Sequence, residues 1–347
     1  MSAVRFANVS IVFGERPESA LPLMDAGRDR AEVQRETGQI LGVHDCSLDV
    51  AAGEIVVLMG LSGSGKSTLL RAVNGLNPVA RGRVEVTDSD WSCTLPGAST
   101  SDLRRLRREC VSMVFQQFGL LPWRSVRDNV GLGLELGGVD KAEVARRVDA
   151  QLALVSLSDW GDRKVGELSG GMQQRVGLAR AFVTEAPILL MDEPFSALDP
   201  LIRGRLQDEL LELQAELRRT IVFVSHDLDE AFKIGNRIAI MEGGRIVQCG
   251  TPQEIIARPE NDYVADFVGH MNPMSVLTAA DVMTCAGSDS NGPIVAGDTP
   301  LAEVMRLLTE DAGEVIVAKD GTPLGRIGRA DVLRGLLAPQ ARPQPRA

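Results

Sequence analysis

The chain has 347 residues, of which 44% are hydrophobic, and it is long enough for one large domain and a smaller second one. A net charge of -10 and a pI near 5.0 lack the basic character of nucleic-acid-binding proteins, so no nucleic-acid partner is expected. The five cysteines are scattered without a C-x-x-C pair, which favours a reducing compartment, and no apolar run approaches the ~20 residues of a membrane span, so any membrane role is expected to be peripheral.

The first part of the chain shows strand patterns on both sides of a polar insertion. Loosely alternating apolar residues predict strands at 4–13 and 45–50, and the stretch 15–39 between them is rich in charges. The apolar run 54–59 predicts a strand buried on both faces, and the spacing after it predicts a helix over 66–76. We therefore expect a strand, a glycine-rich turn and a helix.

Further short apolar runs alternate with helical patterns in the middle of the chain. The runs begin at Val111, Ile188 and Ile221, and the helical patterns cover 141–155 and 201–218. Such alternation is typical of an α/β fold with a parallel sheet at its core.

The end of the first domain carries a hairpin pattern and two short helical patterns. Residues 237–248 predict a hairpin that turns at Gly243 and Gly244, and 252–268 predicts short helices. We therefore assign the first domain to residues 1–270.

A second apolar pattern follows this domain. It predicts a small βαββα unit over 271–338. The last residues, 339–347, are rich in proline and lack periodicity, so they are expected to form a disordered tail.

The segment GLSGSGKST matches the phosphate-binding pattern G-x-x-x-x-G-K-[ST] between a predicted strand and a predicted helix. Small residues let backbone N–H groups surround phosphate oxygens, and the helix N-terminus adds the positive end of its dipole. Lys66 would add a full charge at the β- and γ-phosphates, and Ser67 would hold Mg²⁺ through its hydroxyl. A flexible loop with an incidental lysine explains this context poorly. The predicted nucleotide-binding residues are Gly60, Leu61, Ser62, Gly63, Ser64, Gly65, Lys66, Ser67 and Thr68.

Two adjacent acids end the predicted strand in PILLMDEP (187–194), at the edge where open α/β sheets bind ligands. Neighbouring residues on a strand point in opposite directions, so the two acids can differ in role. Asp192 is predicted to join the Mg²⁺ site, and Glu193 is predicted to polarise the attacking water as a general base. Alone, such a pair is more often a helix cap or a surface ion pair.

The segment LSGGMQQR (168–175) resembles the signature of ABC ATPases. Ser169, Gly170 and Gly171 would open a helix over 172–183 and form a second anion site. One nucleotide needs only one such site, and the resemblance implies that ATP lies between the phosphate loop of one subunit and the signature of a second copy. It also implies a P-loop NTPase fold, with a mixed-sheet core and a helical subdomain that contains the signature.

Three further positions match this family. Gln116 matches the glutamine that senses the γ-phosphate and Mg²⁺ and couples to the membrane domain, although Gln117 leaves its register open. His226 matches the switch histidine that contacts the γ-phosphate. Phe13 matches the aromatic residue that stacks on adenine, and a core position is an equal alternative. The segment SALD (196–199) matches the loop that runs between the two active sites.

The segments 41–50, 113–130, 191–214 and 221–241 resemble the ATPase subunits of quaternary-amine importers, which serve glycine betaine, proline betaine or choline. The resemblance implies ATP and Mg²⁺ as cofactors, an inner-membrane permease and an extracytoplasmic binding protein as partners, and a place on the cytoplasmic face of the inner membrane. Another small solute, such as an amino acid, and a non-transport ABC ATPase are the alternatives. A sensor without turnover conflicts with Glu193 and His226.

The unit at 271–338 resembles one CBS motif, through VMT at 282–284, PL at 300–301 and LGRI at 324–327. CBS modules usually work as pairs, and this sequence shows only one copy. Either two chains pair their copies, or the segment packs without sensing. We favour the packing role and expect no tight adenosine ligand.

Overall fold

A computed structural model describes residues 2–117, 119–269, 271–285, 292–309, 313–319 and 322–337. The predicted disordered tail, 339–347, lies outside these residues. The chain divides into two compact units, Met1–His226 with Met241–Ile246, and Asp227–Ile240 with Val247–Ala347. The predicted boundary near 270 therefore lies inside the second unit.

Strands and helices alternate along much of the described part of the chain. The strands are β1 (Ser2–Phe13), β2 (Ile40–Ala51), β3 (Ile55–Met59), β4 (Arg81–Asp88), β5 (Trp91–Leu95), β6 (Val111–Val114), β7 (Ile188–Asp192), β8 (Thr220–Val224), β9 (Arg237–Glu242), β10 (Arg245–Gly250), β11 (Thr284–Cys285), β12 (Ile294–Val295), β13 (Glu314–Lys319) and β14 (Thr322–Gly328). The α-helices are α1 (Leu21–Asp25), α2 (Arg30–Thr37), α3 (Lys66–Leu70), α4 (Thr100–Arg105), α5 (Val126–Gly137), α6 (Lys141–Leu154), α7 (Gly170–Phe182), α8 (Pro200–Leu217), α9 (Leu228–Ile234), α10 (Pro252–Ala257), α11 (Asp262–Val268), α12 (Ala279–Val282), α13 (Leu301–Thr309) and α14 (Arg329–Leu337).

The core of the first unit is the predicted parallel sheet. Its strands β3, β8, β7 and β6 lie side by side in that order, and all pairs between them are parallel. Every residue of β3, β7 and β8 is buried, as their continuous apolar sequences predict. The strand order of this sheet continues from β3 to β9 and β10. The carboxyl ends of the parallel strands form one edge, which carries the chemistry described below.

An antiparallel sheet with the order β2-β1-β4-β5 adds to this core. The strand predicted at 45–50 is wrong in extent, because β2 begins at Ile40, which pairs with Phe13. Strands β4 and β5 were not predicted from the sequence, although the alternation of Val84 and Val86 with polar residues indicates a strand at β4. This sheet brings the end of β1 beside the start of β2, on either side of the insertion.

Helices α5, α6 and α7 pack on one another and form the predicted helical part that contains the signature. The helix predicted over 66–76 is shorter, because α3 ends at Leu70. After it, the N–H groups of Ala72 and Val73 bond three residues back, and the turn closes at Gly75 with φ 67°. Helical spacing in the sequence does not distinguish such tight turns from an α-helix.

The charged insertion at 15–39 is folded. It forms a 3-10 turn, Pro17–Ala20, followed by α1 and α2. Its apolar residues Ala20, Met24 and Val33 are buried together with Val12 of β1 and Leu41 of β2. The insertion is thereby fixed to both strands that flank it.

The end of the second unit has the element order β12-α13-β13-β14-α14, preceded by α12 and β11. Its four strands form a sheet of order β11-β14-β13-β12, over a core that includes Leu301, Val304, Val315 and Ile327. The predicted βαββα order is present, and its identity as a CBS motif stays a prediction. Over the described part of the chain, no helix combines the length and apolar character that a membrane crossing requires.

Candidate functional site

The phosphate loop connects β3 to α3, and its shape depends on glycine. Gly60, Gly63 and Gly65 have φ values of 139°, 78° and 102°, a region that disfavours other residues. A Cβ at Gly60 would overlap the carbonyl oxygen of Met241, and one at Gly65 would lie 2.7 Å from that of Gly42. The backbone of the loop therefore needs glycine at positions 60 and 65, where it passes close to the carbonyl groups of Met241 and Gly42.

Lys66 lies over this loop at the start of α3. It is 7% exposed, and its Nζ donates to the carbonyl oxygens of Gly60 at 2.8 Å and Leu61 at 3.0 Å. Burial lowers the pKa of Lys66, and the charges of Glu193 and Asp192 act in the opposite direction. The buried hydroxyl of Ser64 has no hydrogen-bond partner among the described residues. A buried cation and an unsatisfied hydroxyl in a ring of backbone groups suit the phosphates of a nucleotide.

Asp192 ends β7 and is fully buried. The hydroxyl of Ser67 donates to its Oδ1 at 2.6 Å, and the guanidinium of Arg71 pairs with its Oδ2 at 2.9 Å. Arg71 was missed in the sequence, because no motif marks it. One carboxylate, one hydroxyl and the nearby amide of Gln116 are hard ligands that fit Mg²⁺, which usually takes its other ligands from phosphates and water. Among the described residues, no three His, Cys, Asp or Glu side chains form a complete metal site by themselves.

Glu193 contacts two of the other predicted site residues, Gln116 and His226. Its Oε2 accepts a hydrogen bond from Gln116 Nε2 at 3.3 Å and lies 3.2 Å from His226 Nδ1. The side chain of Glu193 is 18% exposed and that of His226 is 61% exposed, so both reach solvent. A partly exposed carboxylate beside an amide and an imidazole can orient a water molecule and accept its proton.

These groups border a single cleft of about 770 Å³, a volume in the range of small-molecule sites. Phe13 is half-buried and faces it, which agrees with stacking on a base as well as with partial packing. Asp192 lies behind Ser67 and does not line the cleft. The cleft is lined by Phe13, Arg30, Gln34, Ile40, Leu41, Gly42, Ser62, Gly63, Gly65, Lys66, Ser67, Thr68, Gln116, Glu193 and His226.

The signature residues do not line this cleft. Ser169 caps α7 and accepts a hydrogen bond from the backbone N–H of Met172 at 3.4 Å. Ser169 and Gly170 are exposed, and a Cβ at Gly170 would meet no atom within 4 Å. The start of this 13-residue helix therefore presents N–H groups and the positive end of a dipole to solvent.

Gln174 connects the signature helix to the acid pair, a role that the sequence did not reveal. Its Nε2 donates to the carbonyl oxygen of Glu193 at 3.3 Å, and its Oε1 accepts from the N–H of Ala197 at 3.0 Å. Ala197 belongs to the predicted loop 196–199, in which Asp199 caps α8 by accepting from Ile202 at 3.1 Å. The position of Gln174 within a recognised motif was the only available signal.

A family model described as ABC transporter matches residues 43–196. The chain is 44% identical to the glycine betaine/proline betaine transport system ATP-binding protein ProV of Escherichia coli, over 96% of this chain and 82% of that protein. It is 44% identical to the glycine betaine/carnitine transport ATP-binding protein GbuA of Listeria monocytogenes, over 85% of this chain and 74% of that protein. It is 45% identical to the trimethylamine N-oxide transport system ATP-binding protein TmoW of Ruegeria pomeroyi, over 95% of this chain and 96% of that protein.

Among solved structures, the chain resembles the dimeric ATP-binding cassette MJ0796 in a post-hydrolysis state bound to ADP and Pi. The TM-score is 0.61 at 29% identity, over 72% of this chain and 98% of that chain. The fold agrees with that of this solved cassette. The chain belongs to the ATP-binding proteins of ABC transporters.

Proposed function

We propose that this chain hydrolyses ATP to drive the import of a quaternary ammonium compound, with glycine betaine as the first candidate. The observation that carries the hydrolytic part is the convergence of Lys66, Gln116, Glu193 and His226 on one cleft. The solute is inferred from relatives named for glycine betaine transport, at 44% identity over most of the chain. The identity of the solute and the ATPase activity are separate claims, because other proteins of such systems bind the solute.

In the proposed reaction, the phosphate loop holds the phosphates by its N–H groups and Lys66 offsets their charge. Glu193 accepts the proton of the attacking water through its carboxylate, whose Oε2 is contacted by both Gln116 and His226. His226 is the residue that we expect to contact the γ-phosphate. Ser67, Gln116 and Asp192 would hold Mg²⁺, which when bound offsets phosphate charge. Phe13 would stack on the adenine.

The site is incomplete within one chain. Ser169, Gly170 and Gly171 do not line the cleft, and Ser169 and Gly170 are exposed at the start of α7, where we propose a second anion site. We infer that a second copy supplies its signature to this cleft in a head-to-tail dimer, as suits the similarity to dimeric cassettes. Binding of ATP would then favour the closed pair, and hydrolysis would release it.

The remaining partners follow from the same family. We propose two partners, an inner-membrane permease that responds to the closing and opening of the dimer and an extracytoplasmic binding protein that delivers the solute. We also propose that the chain lies peripherally on the cytoplasmic face of the membrane. The region around Gln116 is the proposed contact for the permease.

Trimethylamine N-oxide is a second candidate solute, because TmoW aligns with this chain over 96% of its own length. Uptake of labelled glycine betaine, choline and trimethylamine N-oxide in cells with and without the chain separates the candidates. We expect loss of glycine betaine uptake, and its return with the wild-type chain but not with Glu193→Gln. Loss of trimethylamine N-oxide uptake alone would transfer the assignment to that solute, and unchanged uptake of all three would contradict the proposal.

A further inference from the structure

Helix α2 of the insertion forms one wall of the cleft that we assign to ATP. Arg30 and Gln34 lie one helical turn apart on α2, and both line this cleft. The helix is fixed in place, since Val33 is buried in the small core with Val12 and Leu41. The insertion is therefore part of the site and not a separate surface feature.

Arg30 occupies the first position of α2, where the chain is held by two reciprocal caps. The side chain of Asp29 accepts from the N–H of Glu32 at 2.8 Å, and the side chain of Glu32 accepts from the N–H of Asp29 at 3.1 Å. Gly38 ends the helix in the left-handed conformation. These caps fix the two ends of α2. The packing of Val33 against Val12 and Leu41 places the helix, and with it Arg30, beside the phosphate loop.

The guanidinium of Arg30 bridges two backbone segments of the site. Its Nη1 donates to the carbonyl oxygen of Gly63 in the phosphate loop at 2.7 Å, and its Nη2 donates to that of Gly42 in β2. A Cβ at Gly244 would lie 2.5 Å from Nη2, so the small size of glycine makes room for the guanidinium. The peptide group of Gly63 is thereby tied to the sheet.

The charge of Arg30 is not balanced by an acid. No carboxylate among the described residues lies within ion-pair distance of it, and its buried Nε has no partner there. Burial lowers its pKa, yet a guanidinium stays protonated at physiological pH. A half-buried, unpaired cation beside a phosphate loop is favourable when an anion occupies that loop.

We propose that Arg30 is a positioning residue of the nucleotide site. It holds the phosphate loop in its anion-binding shape and adds a second positive charge beside that loop. The proposal rests on the proposed function, because it assigns this cleft to ATP. Since the loop holds phosphates that ATP and ADP share, the effect of Arg30 should be equal for both nucleotides.

The test measures nucleotide affinity in the full-length chain by calorimetry, with MgATP and MgADP. Replacing Arg30 by glutamine should raise both dissociation constants by about tenfold, the loss of one charge-assisted contact. Arg30→Lys keeps the charge but cannot donate to both carbonyl groups from one planar group, so it should raise the dissociation constants by less. Arg35→Gln is the matched control, because Arg35 is exposed on the same helix and should leave both constants unchanged.

The thermal midpoint of each nucleotide-free variant separates positioning from stability. A purely structural Arg30 would lower that midpoint while leaving the affinities of Arg30→Gln at the wild-type values, and this would overturn the proposal. A loss restricted to MgATP would also overturn it. If the wild-type chain bound neither nucleotide, the proposed function itself would fail. If the wild-type chain bound both and Arg30→Gln bound them equally well, only the role of Arg30 would fail.

Discussion

Glu193 has a strained backbone that its neighbours hold in place. Its φ of 50° lies in the left-handed region, which costs a residue other than glycine roughly 1–3 kcal/mol. Its N–H donates to the carbonyl oxygen of Val224 at 3.1 Å, and its own carbonyl accepts from Gln174 at 3.3 Å and from Ser196 at 3.1 Å. Such strain is common at functional sites, and in this chain it occurs at the residue whose carboxylate contacts Gln116.

Replacement of Glu193 by glutamine keeps the shape of the side chain and removes its basic oxygen. We expect ATP turnover to fall by at least about 100-fold, the usual contribution of a general base, while MgATP affinity changes little. Phosphate release and calorimetric titration measure the two quantities. Glu109→Gln, at an exposed acid paired with Arg105, is the control. Unchanged turnover in Glu193→Gln would contradict the catalytic assignment.

Cys46 is a buried thiol whose titration should affect stability in alkali. Burial raises its pKa to about 11 from an ordinary 9.0. The unfolded chain therefore loses this proton at lower pH than the folded chain. The stabilisation is complete below pH 9 and is lost as the pH rises through 11, an effect of roughly 2–3 kcal/mol. The free energy of unfolding should fall more steeply with pH in the wild-type chain than in Cys46→Ala, and equal slopes would contradict this.

At the scale of elements, α7 has an exposed N-terminus. Its role in turnover can be tested by a substitution that should not change the stability of the fold. An aspartate in the first turn of a helix is favoured by the dipole, and position 170 has open space for it. Gly170→Asp should therefore fold with an unchanged thermal midpoint. Its negative charge should repel the phosphates of a nucleotide held by the second copy, so turnover should fall by about tenfold or more, while each chain still binds ATP in its own cleft.

The matched control for this variant is Gly166→Asp, which adds the same charge at another exposed glycine with open space. We expect the turnover of this control to match the wild-type value. Equal losses in both variants would point to a general charge effect and would remove the support for a signature that serves a second copy.

At the scale of the whole molecule, the chain should bind nucleotide only at the phosphate loop of its first unit. The buried Lys66 is the central cation of that site, so Lys66→Ala should abolish calorimetric binding of ATP. We expect no second site, because we assign a packing role to the C-terminal βαββα unit. A residual site of micromolar affinity in folded Lys66→Ala would show that this unit binds adenosine nucleotides, and circular dichroism verifies the fold.

The features that could be predicted from the sequence are local in the chain. A buried strand, a glycine-rich turn and a helix N-terminus follow one another within residues 54–70, so the phosphate loop was predictable from pattern and chemistry alone. The same holds for the acid pair at the end of β7 and for Ser169 at the start of α7. Each depends on neighbours within a few residues.

Other features depended on which distant segments meet, and only the tertiary structure decided them. Arg71 and Asp192 are 121 residues apart, and Arg30 and Gly63 are 33 apart. Nothing in the charged sequence 15–39 indicates that it would fold on Val12 and Leu41 and turn one arginine toward the phosphate loop. Such contacts result from packing between elements, for which local periodicity carries no information. The sequence alone therefore determined the kind of chemistry, while the packing of the insertion and the parallel strands decided which further side chains reach the site.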